Sequence, residues 1–354
     1  MLHSLNPENG VEDDLDLSNA VLYTNNPGSQ AEMKTYQFGE AVKQPQVVTR
    51  LIINATAATD FVPRLHEFIA LEWLEIANTD LSDLPEIHLP NLRTLILKNN
   101  ELICLPVAIT KWQNLEILWI EEELLELIPE EICDLRQVKH FILKCPKLWY
   151  APVDELFSAW SQLEILNLLC PLKIMPPSIT HLKGLKQLYL AEMATMFKFP
   201  DIFGELPNLE GLSFDQMGLT SLPPSISSIP KLKWLYVHGC PLFTFPTSLP
   251  DSLEELILSA ALITSIPASL FQHPNLMDID LSSNRIETIP VPNEFCRAPF
   301  RRLSLHHNRI KYLPPGFFKL PVEELDINMN PLAPETVRQL KQNFQGIHIC
   351  LPPS

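Results

Sequence analysis

The sequence predicts a single α/β solenoid, a horseshoe whose short parallel strands line the concave side and whose extended or 3-10 segments form the convex side. Three observations predict it. The stretch LMDIDLSSNRIETIP places Leu276, Ile279, Leu281, Asn284, Ile286, Ile289 and Pro290 at positions 1, 4, 6, 9, 11, 14 and 15 of a repeat. Position 1 then recurs at Leu71, Leu92, Leu115, Val138, Leu163, Leu185, Leu209, Leu232, Leu253, Leu276, Phe300 and Val322, at intervals of 21 to 25 residues. Finally, the chain carries 33 Pro against 10 Gly, and a proline follows a late apolar residue in nearly every unit, from Pro85 and Pro106 to Pro290 and Pro314. With a degenerate first unit near Val48, thirteen units result. Repeats that stack make one elongated domain of the 354 residues rather than two or three compact ones.

Residues 1–47 show no repeat and read as an acidic leader. Glu8, Glu12, Asp13, Asp14, Asp16, Glu32 and Glu40 face only Lys34 and Lys43, a net charge of −5. Such a segment is expected to be disordered at first, with 31–44 forming a short helix over the exposed end of the solenoid; an address or secretion tail is the alternative. The solenoid is expected over 48–332. Within a unit, apolar residues at 4 and 6 point one way while 3, 5 and 7 point the other, which is a short strand, and stacked units give one parallel sheet. Proline at 15 removes an N–H and fixes φ, so the chain leaves the ladder and returns on the outer side. Residues 333–354 form the closing cap: Pro334 starts a helix with Val337, Leu340 and Phe344 on one face, and GIHICL adds a last strand.

A net charge of −16 disfavours DNA, RNA or an anionic membrane as the main partner and favours a basic or neutral one. The seven cysteines are scattered, odd in number and without a CxxC pair, so neither a disulfide framework nor a zinc site is expected. The N-terminus has no basic region with a long apolar run, and no apolar stretch of 18 residues occurs, so neither Sec export nor a membrane span is expected.

The LxxLxL…LPxxI layout over residues 48–344 resembles the leucine-rich-repeat family, and within it the LP-containing repeats of the plant intracellular Ras-group type. It is also similar to leucine-rich-repeat effectors that bacterial pathogens deliver into host cells, which share the layout and a short acidic leader. The resemblance implies a generic binding scaffold. Ubiquitin-ligase effectors of this kind carry a catalytic domain after the repeats, whereas this chain ends ten residues past Phe344, so ligase activity is not expected. Asparagine at position 9 survives only as Asn100, Asn284, Asn308 and Asn330. Glu123, Pro146, Pro171, Met193, Met217, Cys240 and Ala261 replace it in the middle, so the middle turns need other partners, or have simply drifted.

Positions 3, 5 and 7 write the concave surface. From the second unit to the tenth they carry Trp73, Ile96, Ile117, Trp119, Ile142 and Ile165, then Leu169, Tyr189, Trp234, Tyr236 and Ile257. This reads as an exposed apolar and aromatic band of the kind that marks protein interfaces, although isoleucine there also simply suits a strand. Nine strands span roughly 40 Å, suited to a protein or peptide rather than a metabolite. A second zone sets Glu255, Asp278, Asp280, Glu324 and Asp326 around Arg302 and reads as a steering surface for a basic patch, or as a solvated acidic surface. His238 in row 7 completes the candidate partner-binding set.

Enzymatic constellations are thin. His140 and Cys145 share a unit without an oxyanion or orienting group, and His306 and His307 point to opposite sides. GxGxxG, GxxxxGK[ST] and HExxH do not occur. The expectation is therefore a scaffold with no catalytic residue, metal or cofactor that binds a protein on its concave face. It would act as a monomer in the cytoplasm, as a bacterial effector in that of a host cell. The alternatives are the substrate-recognition part of a ubiquitin-ligase-type enzyme and an endogenous regulatory subunit.

Overall fold

The structure, a computed structural model, describes residues 35–291, 300–345 and 348–351. The acidic leader up to Lys34, and Cys296, lie outside these residues. Fifteen parallel strands form one sheet in strict sequence order. Ten of them occupy positions 3 to 7 of their units, from Arg50–Asn54 and Trp73–Ala77 to Glu255–Ser259. Asp278–Asp280 and Val322–Asp326 stop at position 5, where the aspartate carboxylate itself accepts the position-7 N–H, from Ser282 at 2.8 Å and from Asn328 at 3.0 Å.

The sheet begins earlier than the repeat pattern does. Thr35–Gln37 pairs with Arg50–Ile52, so residues 35–47 belong to the solenoid, and the helix expected over 31–44 is a single turn, Phe38–Ala41. The extra strand satisfies the N–H and C=O groups that the first unit would otherwise leave on an open edge. At the other end the helix runs Pro334–Asn343, and His348–Cys350 pairs with Glu324–Asp326.

Six late prolines, Pro106, Pro129, Pro176, Pro223, Pro267 and Pro314, start a 3-10 turn, whereas no helical turn follows Pro85 or Pro246. The carbonyls of Pro106, Pro129, Pro176, Pro223 and Pro267 each accept the N–H three residues on, at 3.1 to 3.2 Å. The ring supplies the φ that the turn needs and lacks only the N–H that a first-turn residue does not use. The 25-residue unit after Val138 has room for a true helix, Val153–Ala159.

The lost asparagines have a structural explanation. In ten units position 8 has positive φ, from Ala55 and Asn78 to His307 and Met329, with Gly239 among them. This left-handed residue turns position 9 into the core. Asn308 shows the result: its Nδ2 donates to the Leu281 and Leu305 carbonyls, and its Oδ1 accepts from the Ile286 N–H at 3.0 Å. Glu122, Cys145 and Cys170 are the position-8 residues outside that group, and there position 8 itself is buried while Glu123, Pro146 and Pro171 face solvent. Glu122 takes over the polar duty, accepting at 2.7 Å from both the Asn100 N–H and the Asn100 Nδ2.

Position 2 holds a feature that the core pattern does not predict. Along the edge of the sheet it reads Glu72, Arg93, Glu116, Lys139, Glu164, Lys186, Glu210, Lys233 and Glu254, alternating in sign. Ion pairs form between neighbours: Lys139 to Glu116 at 2.8 Å, Lys186 to Glu164 at 2.7 Å and Lys233 to Glu210 at 3.1 Å, with Arg93 also on Glu116. Such exposed pairs are individually weak, but a slip by one repeat would set like charges opposite one another.

Candidate protein-binding face

Positions 3, 5 and 7 do share the concave face, yet much of the expected exposed band is not exposed. Ile96, Trp119, Ile142, Ile165 and Tyr189 are buried; Trp73, Ile117, Leu169, Trp234, Tyr236 and Ile257 are half-buried; His238 is exposed. The reason is the register: Ile96, Trp119 and Ile142 are direct cross-strand partners, so each is covered from both sides by the next strand. Trp119, only 1% exposed, is also roofed. Lys98 Nζ sits 3.7 Å from the ring centroid, and the indole Nε1 donates to Glu121 Oε2 at 3.2 Å. Trp73 is covered similarly, with the Arg50 guanidinium 4.1 Å from its ring centroid.

Three aromatic rings gather further along. Trp234 and Tyr236 lie on strand Trp234–His238, and Tyr189 lies two strands back on Gln187–Ala191. The strand between them contributes Gly211 at the position in register with Trp234. With no side chain there, the indole crosses to Tyr189, giving ring centroids 5.3 Å apart, and Tyr236 lies 4.8 Å away on the other side. The three rings, tilted 35° and 32° between neighbours, form one platform in which Trp234 and Tyr236 are half-buried and Tyr189 is buried. Its next neighbour is Glu255, in register with Trp234 and close to the Tyr236 hydroxyl. Burial raises the Glu255 carboxyl, the nearby Tyr236 hydroxyl opposes this, and the Asp278 charge adds to it. Burial likewise pushes the hydroxyls of Tyr189 and Tyr236 upward.

The acidic zone continues from Glu255 to Asp278, Arg302 and Glu324 along row 3, all in register. Over the strands from Gly211–Asp215 to Val322–Asp326, rows 3, 5 and 7 hold six carboxylates, counting Asp215, and one arginine, which leaves −5. Asp278 is already engaged by Arg301, a position-2 residue, and Asp326 lies 3.9 Å from His306 Nδ1. Asp280 accepts the local N–H of Ser282, and no ion pair to it forms among the described residues. The aromatic platform and the carboxylates therefore form one continuous surface rather than two zones.

Comparison with known proteins agrees with this architecture. Residues 251–296 match the leucine rich repeat family. A leucine-rich repeat protein of Leptospira interrogans superposes with a TM-score of 0.59 at 20% identity, over 90% of this chain and 99% of that one. An internalin of Listeria monocytogenes gives 0.59 at 15% identity over 82% of each chain. The fold is a leucine-rich repeat solenoid. Likeness at this level of identity shows the fold alone. In sequence, the chain is 25% identical over 320 residues to adenylate cyclase of Schizosaccharomyces pombe, and 27% identical over 271 residues to mouse podocan. These matches cover 75% and 74% of this chain but 19% and 40% of those proteins, so it spans less than half the length of either.

Within the leucine-rich repeat frame, Cys145 is the buried position-8 residue of its turn, its thiol pushed up to about 12 by burial, while His140 sits on the concave face with burial lowering its pKa. The turn thus separates the two groups instead of pairing them as nucleophile and base. Sequence reasoning also missed a set of protruding residues. Ile103, Trp149, Ile174, Phe197 and Phe243, at positions 12 or 13, stand out from the loops that follow the strands. Their signal was available, as large apolar residues at positions that the repeat does not bury.

Proposed function

We propose that the solenoid is a protein-binding scaffold whose concave face receives a basic segment of its partner, with a lysine or arginine side chain on the Tyr189–Trp234–Tyr236 platform. The observation that carries this reading is the continuity of the three rings with Glu255 and the net −5 surface beyond it. A cation over an aromatic face gains from the ring quadrupole, and neighbouring carboxylates add charge complementarity and speed encounter. Action as a bacterial effector inside a host cell is a further part of the proposal and rests on the resemblance of the repeat layout. No catalytic group is assigned, and the cyclase activity of the fission yeast relative is not carried over, because the match spans 19% of that protein.

The test is affinity capture from host-cell lysate with wild type beside the double variant Trp234→Ala, Tyr236→Ala. Basic proteins retained by wild type should be lost by the variant. A partner list that is unchanged, or composed of acidic proteins, would remove the concave platform as the binding site.

A further inference from the structure

We infer that one rim of the solenoid, separate from the concave face, adsorbs to an anionic lipid surface. The rim consists of the loops that follow strands His140–Lys144, Ile165–Leu169 and Gln187–Ala191. These strands are hydrogen-bonded neighbours in register, Lys144 to Leu169 to Ala191, which sets their loops side by side about 4.8 Å apart. Each loop presents one large apolar side chain to solvent: Trp149 is 69% exposed, Ile174 75% and Phe197 63%. Beside each stands an exposed lysine, Lys147, Lys173 or Lys198, for which no ion pair forms among the described residues.

Two features favour a lipid surface over a protein groove. The apolar side chains project from loop tips instead of lining a concavity, so three anchors in a row meet a plane most easily. Loop segments 145–152, 170–177 and 192–200 hold three lysines against one carboxylate, Glu192, within a chain of net charge −16. Aromatic and aliphatic tips entering the headgroup boundary beside lysine ammonium groups is the arrangement that interfacial binding uses. The acidic remainder of the molecule opposes approach, but its repulsion is screened beyond about 8 Å at physiological ionic strength. Glu123 and Glu126 of the preceding repeat mark one end of the basic stretch. Since positions 3, 5 and 7 lie on the sheet and the loop tips lie beyond its edge, an adsorbed molecule keeps its concave face free.

Co-sedimentation of the full chain with phosphatidylserine-rich vesicles, beside vesicles of phosphatidylcholine alone, tests this. Wild type should pellet with the anionic vesicles and release at high salt. Lys147→Gln, Lys173→Gln, Lys198→Gln should weaken binding by roughly a hundredfold, each lysine contributing about a factor of five. Trp149→Ser, Ile174→Ser, Phe197→Ser should also release it, with an unchanged far-ultraviolet circular dichroism spectrum because all three side chains are exposed. The Trp234→Ala, Tyr236→Ala variant should bind vesicles like wild type, which separates this inference from the concave-face reading. Absence of wild-type pelleting, or pelleting indifferent to the rim variants, overturns the proposal. So does loss of a captured protein in those variants without any vesicle binding, which would make the rim a protein surface.

Discussion

Gly211 vacates the space that the Trp234 indole fills: a Cβ built on Gly211 would lie 1.8 Å from Cζ2 and 2.0 Å from Cε2 of that ring. The glycine has no positive φ to explain it, so its purpose is the close approach of the ring. Gly211→Ala should therefore push the indole off the strand and separate it from Tyr189. We expect a changed near-ultraviolet circular dichroism signal and loss of partner capture, with a stability cost of about 1 to 3 kcal/mol from overpacking. An unaltered aromatic spectrum would show that the ring does not rest there.

Trp119 and Trp234 are both concave-face tryptophans, and they should behave differently on truncation. Trp119→Ala removes a buried, roofed ring and should cost about 3 kcal/mol in urea unfolding, the low end for a large aromatic because the gap opens to solvent. Trp234→Ala should cost less in stability and about 2 kcal/mol or more in partner affinity.

Glu122 predicts a pH dependence. Burial raises its carboxyl from 4.5 to about 7 despite the two Asn100 donors. Between those values the unfolded chain has released the proton that the folded one retains. This group's contribution therefore falls as pH rises from about 4.5 to 7, with a limiting slope of about 1.4 kcal/mol per pH unit for one proton. Glu122→Gln should flatten that slope, measured as the difference in urea midpoints between pH 5 and pH 7.5. A variant with the wild-type slope would place the titration elsewhere.

Asn308→Ala should leave the Ile286 N–H and the Leu281 and Leu305 carbonyls without their partner and cost about 3 kcal/mol. Pro171→Ala, at a position 9 that faces solvent, should change thermal stability little. Equal losses at the two sites would contradict the exchange of roles between positions 8 and 9.

Asp280→Asn with Asp326→Asn keeps the side-chain oxygens that accept the Ser282 and Asn328 N–H groups while removing two charges from the acidic zone. Stability should hold. Association with a basic partner should slow and lose part of its salt dependence, read by stopped-flow at two ionic strengths.

The repeat was legible because one strand, one proline turn and one buried set recur every 21 to 25 residues, so each unit repeats the message of the last. Even so, the alternating charges from Glu72 to Glu254 went unread, since they become a pattern only when position 2 is followed across units. The candidate site was legible in part. The residues that face inward along the concave surface were assigned correctly, but Trp119 and Trp234 carry the same letter at neighbouring row positions and differ in exposure. That difference comes from Ile96, Ile142 and Lys98 around the one and from Gly211 beside the other, neighbours 21 to 23 residues away in the chain.

Sequence alone determined the solenoid, the strand positions, the proline-started turns and the side of the sheet on which each side chain lies, because these follow from backbone periodicity and from proline's fixed φ. Tertiary structure decided which of those side chains remain accessible, which residue of the turn enters the core at Glu122, Cys145 and Cys170, and which loops stand together as the rim of Trp149, Ile174 and Phe197. Accessibility is a property of packed neighbours in space, and spacing along the chain does not carry it.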